Sequence, residues 1–178
     1  MFLIDTNVML AASAINELSN VAHRAMPQEI ELRELVFDWL SEFEQSDQHL
    51  VLDEAGLIQN EYDRNMPFNW REQEYGLQVL QAKLDRNQVE FVPIDTLEGN
   101  GEHIAVLTPA HEALVSDRED RKWVACALAA KIFFNVTPPI VYGAETDWFI
   151  AEKNLRAIGL CFKRLLPDSW YEARVTSA

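Results

Sequence analysis

The 178-residue chain holds only two cysteines, four histidines and six glycines, and its 15 Lys and Arg are outnumbered by 29 Asp and Glu. Cys126 and Cys161 sit in apolar stretches. Two such cysteines build neither a disulfide framework nor a cysteine zinc set, and they fit a reducing, cytoplasmic setting. His23, His49, His103 and His111 fall at no ligand or triad spacing, and no nucleophile motif accompanies them. No run reaches the ~20 apolar residues of a membrane span. The start has no basic n-region or cleavable apolar segment, so the expectation there is a strand rather than a signal peptide. The net charge of −14 lacks the basic face that usually grips nucleic acid. An acidic pocket meets a phosphate backbone only through bridging cations, so a cation-dependent nuclease stays open. No repeat, low-complexity tract or Pro/Gly/Ser-rich linker divides the chain, which predicts one domain over 1–178.

What is present is a hydrophobic fraction of 48%, enough for a real core, arranged as strands alternating with helices. Residues 1–5 read as a buried strand, followed by a helix from Asn7 to about Ser19. Residues 28–46 place Ile30, Leu32, Leu35, Val36, Trp39, Leu40 and Phe43 at helical spacing behind Pro27. A second strand is predicted over 49–53, helices over 54–65 and 70–85, and a strand over 89–92. Gly99, Asn100 and Gly101 mark 95–107 as a flexible loop or insertion. A helix over 117–133, apolar on every side in its middle, precedes a strand over 139–142. A loop through Ala144–Asp147, a helix over 148–157 ending at Gly159, and a strand over 160–162 complete the reading. Such alternation implies a parallel sheet covered on both faces.

Parallel strands share a carboxyl edge, where open α/β sheets place their chemistry. Asp5 ends the first strand, Glu61 lies on the helix after the second, Asp120 opens the apolar helix, and Asp147 follows the strand at 139–142. Carboxylates brought within a few ångströms repel, and either protonation or a hard divalent cation relieves them. An all-oxygen donor set suits Mg²⁺ or Mn²⁺, whose water can attack and whose charge steadies a phosphate. Each acid also has a plainer reading. Asp5 caps the first helix equally well. Asp53 and Glu54 lie closer to the second strand's end than Glu61. Asp117 and Asp120 share a helix start that favours any acid, and Asp147 fits the cap of a helix beginning at Trp148.

These residues resemble the PIN-domain nuclease family. LIDTN (3–7) is similar to the family's opening strand with its Asp-Thr/Ser-Asn. LIQNEY (57–62) resembles the helix supplying the second acid, DRKWVACALA (120–129) the Asp that opens a small-residue helix, and TDWF (146–149) the element after the fourth strand. Together they span almost the whole chain. The resemblance implies a three-layer α/β/α sandwich with a central, mostly parallel sheet of about five strands. It implies Mg²⁺- or Mn²⁺-dependent cleavage of single-stranded RNA, with Asp5, Glu61, Asp120 and Asp147 as the acidic quartet. Asn7 is then the accessory residue orienting Asp5 or a water, with Asp117 and Thr146 in the outer shell.

Many small members of that family are toxins held by a cognate antitoxin, so an antitoxin or other protein partner, or a homodimer, joins the expectation. Residues 66–114 make the chain longer than a minimal toxin. Arg64, Arg118, Arg121, Lys122 and Lys153 are expected around the site, as phosphate contacts or as solvated charge. Trp39, Trp70, Trp123, Trp148 and Trp170 read as core or interface aromatics. Two rivals share the fold: a catalytically silent scaffold in a protein complex, and a structure-specific DNA nuclease.

Overall fold

In the computed structural model the described residues are 1–69, 73–99, 102–115 and 117–176, with Glu102 described by its backbone alone. Short apolar runs form fully buried parallel strands: β1 (Leu3–Ile4), β2 (Leu50–Asp53) and β6 (Ile140–Tyr142) are buried at every position. β1 pairs with β6, and β6 with β7 (Phe162–Arg164), in one parallel ladder of order β1-β6-β7. β2 pairs in parallel with β3 (Val89–Val92) in a second. The predicted single sheet of five strands is therefore resolved as a three-stranded and a two-stranded ladder. They meet at one bridge, Phe2 to Leu50, where the Phe2 amide donates to His49 O (2.9 Å) and the Val51 amide to Phe2 O (2.8 Å). With β1 only two residues long, little strand is left to extend that bridge into a ladder.

Around the strands, in chain order, stand α1 (Thr6–Ser13), α2 (Ile30–Gln45), α3 (Leu57–Asn65), α4 (Tyr75–Asp85), α5 (Pro109–Glu112), α6 (Arg121–Phe134), α7 (Thr146–Ala157) and α8 (Asp168–Val175). The fold is mixed α/β, and among the described residues no helix is long and apolar enough to cross a membrane.

Several expectations are corrected. The first helix ends at Ser13 rather than near Ser19, because the backbone beyond it is satisfied by side chains. The buried Arg33 guanidinium donates to the carbonyls of Ala14 (3.1 Å), Ala22 (3.0 Å), Ala25 (2.8 Å) and Pro27 (2.6 Å), holding 14–27 as turns. The helix expected from residue 54 starts at Leu57, since Asp53 accepts from the Leu57 (2.6 Å) and Ile58 (2.8 Å) amides while Gly56 turns the chain at φ 77°. The helix expected over 70–85 begins at Tyr75, and Trp70 lies outside the described residues.

The segment expected as a loop over 95–107 is an antiparallel pair, β4 (Thr96–Gly99) with β5 (Glu102–Ala105); Asn100 and Gly101 lie outside the described residues. The last strand is displaced from 160–162 to 162–164. Neither α5 nor α8 was expected.

α1 is buried through most of its length and packs against α4 at Gly76. A Cβ at Gly76 would stand 2.7 Å from Met9 Cβ and 2.9 Å from Met9 O, and the Gly76 amide donates to Ser13 Oγ (2.9 Å). Gly76→Ala should therefore destabilise by about 1–3 kcal/mol through overpacking, outweighing the ~0.5–1 kcal/mol that Ala gains in a helix. The check is urea unfolding, where the midpoint should fall at unchanged slope; an unmoved midpoint would mean that the two helices separate freely.

Candidate functional site

Asp5 follows β1 directly, so the parallel ladder delivers its carboxyl to the edge where α1, α6 and α7 begin. It occupies the N-cap of α1, and Oδ1 accepts from the Asn7 amide (2.9 Å) and Asn7 Nδ2 (2.5 Å). Oδ2 accepts from Trp148 Nε1 (2.7 Å) on α7. The capping and site readings of Asp5 are thus compatible. Asn7 itself is fixed from the far side, its Oδ1 accepting from the Gly143 amide (2.8 Å) after β6.

Asp120 stands at the N-cap of α6 with helical backbone angles and makes no side-chain cap hydrogen bond, so its carboxyl is left to the site. Its neighbour Asp117, exposed, instead accepts from the Glu119 amide (2.8 Å). Glu145 precedes α7, again without a side-chain cap bond, while Thr146 is half-buried and Asp147 exposed in the first turn. Burial, with the negative charges of Asp5, Asp117 and Glu145, pushes the Asp120 carboxyl up to about 8. Burial and the charges of Asp5, Asp147 and Asp117 raise Glu145 to about 7. Burial raises Asp5 to about 6, its hydrogen bonds from Trp148 and Asn7 opposing and the Glu61 charge adding to the rise.

Glu61 reaches the same region from α3 but is already engaged. Its Oε1 accepts from Thr6 Oγ1, and Oε2 lies 2.5 Å from Lys122 Nζ. Asp53, the sequence rival for its place, is committed to the start of α3.

The electrostatic core is accordingly Asp5, Asp120 and Glu145, with Asp117 and Asp147 at its rim and Glu61 held beside it. Sequence reasoning did not single out Glu145, although it follows the Pro139–Tyr142 segment more closely than Asp147 does. The sequence leaves Lys122 between a phosphate contact and solvated charge, whereas it is buried; Trp148 is the core aromatic expected, but its bond to Asp5 is not foreseen. The signal for Lys122 was its position two residues after Asp120 at the head of an otherwise apolar helix.

Beside Glu61 opens a cleft of about 290 Å³ whose lining includes Arg64, His103, Arg118, Glu119 and Lys122. Three of the five expected cations thus gather there; Arg121 pairs with Glu112 (2.8 Å) and Lys153 is exposed on α7.

Comparisons with protein-family models, curated proteins and solved structures returned no match to the chain.

Whether a divalent cation suits this cluster is a question of its donor set. Three carboxyls from three elements are all raised, Asp120 enough to favour its proton at neutral pH, which leaves a hard-oxygen cluster short of positive charge. Among the described residues no three His, Cys, Asp or Glu side chains are placed where they could together hold a metal ion.

Proposed function

We propose that the chain is a Mg²⁺- or Mn²⁺-dependent endoribonuclease of the PIN-like kind, acting on single-stranded RNA. The observation that carries this reading is the placement of Asp5 at the head of α1, Asp120 at the head of α6 and Glu145 at the head of α7, where burial and the charge of Asp5 raise both other carboxyls. On this reading the Phe2–Leu50 bridge joins the two ladders into one parallel sheet, β3-β2-β1-β6-β7, with Asp5 at its centre. Asp5, Asp120 and Glu145 would hold the cation, with Asp147 at the exposed rim. The ion, when bound, supplies an acidified water and charge stabilisation at a phosphate.

The protein's own groups do the positioning. Asn7 and Trp148 fix both oxygens of Asp5, so its carboxylate keeps one direction. Asp120 and Glu145, raised by burial and by the charge of Asp5, would supply the charges that face the ion once ionised. Arg64 and Arg118 offer cations to the flanking phosphates from the adjoining cleft, with Lys122 buried in its wall. In a chain of net charge −14, their gathering beside the carboxyls supports a phosphate-bearing substrate.

Purified protein should cut labelled single-stranded RNA with Mn²⁺ or Mg²⁺, stop in EDTA, and lose cutting in Asp5→Asn. Full activity in Asp5→Asn would overturn the assignment, and preferential cleavage of a matched DNA strand would move the substrate to DNA. One observation favours the scaffold reading: among the described residues no three His, Cys, Asp or Glu side chains are placed to hold a metal ion. Calorimetric titration with Mn²⁺ separates the two, because a silent scaffold takes up none.

A further inference from the structure

Lys122 carries an ammonium that is almost entirely shut from solvent, its side chain 6% exposed, yet it sits at the head of the helix that Asp120 opens. Nζ lies 2.5 Å from Glu61 Oε2, donates to Glu119 O (2.5 Å), and stands 3.6 Å from Glu119 Oε2. An ammonium has three N–H donors, and these neighbours engage it on the side of α3 and the α6 turn. The other Glu61 oxygen accepts from Thr6 Oγ1. Both oxygens of Glu61 are therefore held by the protein, and drawing that carboxylate toward a cation would take from a buried ammonium its closest counter-charge and leave it the longer pair with Glu119.

The same positive charge also acts on Asp5 and Asp120. Two-metal phosphodiester sites use a second ion to steady charge on the far side of the phosphate. A lysine ammonium is a compact point charge suited to that place.

We propose that Lys122 is the resident second cation of this site: it holds Glu61 outside the metal shell, and Asp5, Asp120 and Glu145 take up a single divalent ion. This rests on the cation-dependent reading above and departs from the sequence expectation for Glu61.

The test is calorimetric titration of the full chain with Mn²⁺. Wild type should bind one ion. Glu61→Gln, which keeps an acceptor for Lys122, should bind one ion within about threefold of the wild-type affinity, whereas Asp120→Asn should weaken binding at least tenfold. Lys122→Met frees Glu61 and should take up two. Should Lys122→Met fail to fold, the double variant Glu61→Gln with Lys122→Met removes both charges and should return to one. Two ions on wild type, a tenfold loss in Glu61→Gln, or one ion on folded Lys122→Met would overturn the proposal while leaving a cation-dependent site intact. No ion on wild type would overturn both.

Discussion

Asp120→Asn should lower RNA cleavage at least about a hundredfold and, in EDTA, raise the melting temperature. Asp120 makes no side-chain cap bond to α6, so the amide replaces no hydrogen bond of the helix. What it removes is a carboxyl pushed up to about 8 by burial and by Asp5, Asp117 and Glu145. At pH 8 the folded protein must either ionise that group against its neighbours or hold a proton the unfolded chain has released. Relief of that conflict, discounted for the solvent that reaches a half-buried group, is worth on the order of 1–2 kcal/mol. That corresponds to a rise of roughly 2–8 °C for a chain of this size. The two measurements, cleavage of single-stranded RNA with Mn²⁺ and thermal unfolding in EDTA, should move in opposite directions. A variant that loses stability together with activity would show that Asp120 is structural. Asp5→Asn should not show the gain, because its amide nitrogen would face either Trp148 Nε1 or the Asn7 donors.

The cation-free protein should be most stable near pH 5 and lose stability steadily toward pH 9. Asp5, Glu145 and Asp120 have folded values of about 6, 7 and 8, all above the ordinary carboxyl range. A raised value means that the folded state binds the proton more tightly than the unfolded chain. The associated stability is complete below the unfolded values, near pH 4, and is lost as pH rises through 6 to 8. Below that plateau a different group takes over. Burial works against ionised Glu152, yet hydrogen bonds from Arg164, Tyr142 and Arg156 hold it below the usual range, so acid weakens the fold from the other side. The loss between pH 5 and 9 should reach several kcal/mol, and saturating Mn²⁺ should flatten it by replacing the protons with a cation. Melting temperatures across pH, with EDTA and with Mn²⁺, check both statements; a melting temperature in EDTA that climbs from pH 5 to 8 would refute them.

The elements legible in the chain were those whose signal is local. Leu3-Ile4 before Asp5, the LVLD of β2 and the small apolar residues of α6 each carry strand or buried-helix chemistry in their own composition. The β4–β5 pair escaped because Thr96–Gly99 alternates no apolar face, its Leu97 being exposed. The short α5 and the polar start of α8 offer equally weak periodicity. In the site, Asp5 and Asp120 could be found because strand ends and helix starts mark them. Trp148 could not be recognised as a hydrogen-bond donor to a carboxylate 143 positions away. Lys122 looked like surface charge because nothing local shows that Glu61, on another helix, seals it in.

Gly143 fastens both extremes of the sequence at one peptide unit: its amide holds Asn7, and its carbonyl accepts from Tyr171 Oη (2.7 Å) on α8. Asn7 is translated before Gly143 and Tyr171, so the peptide that steadies the partner of Asp5 gains its own anchor only after α8 is made. An emerging nascent chain therefore carries Asp5 and Asn7 for a time without that support.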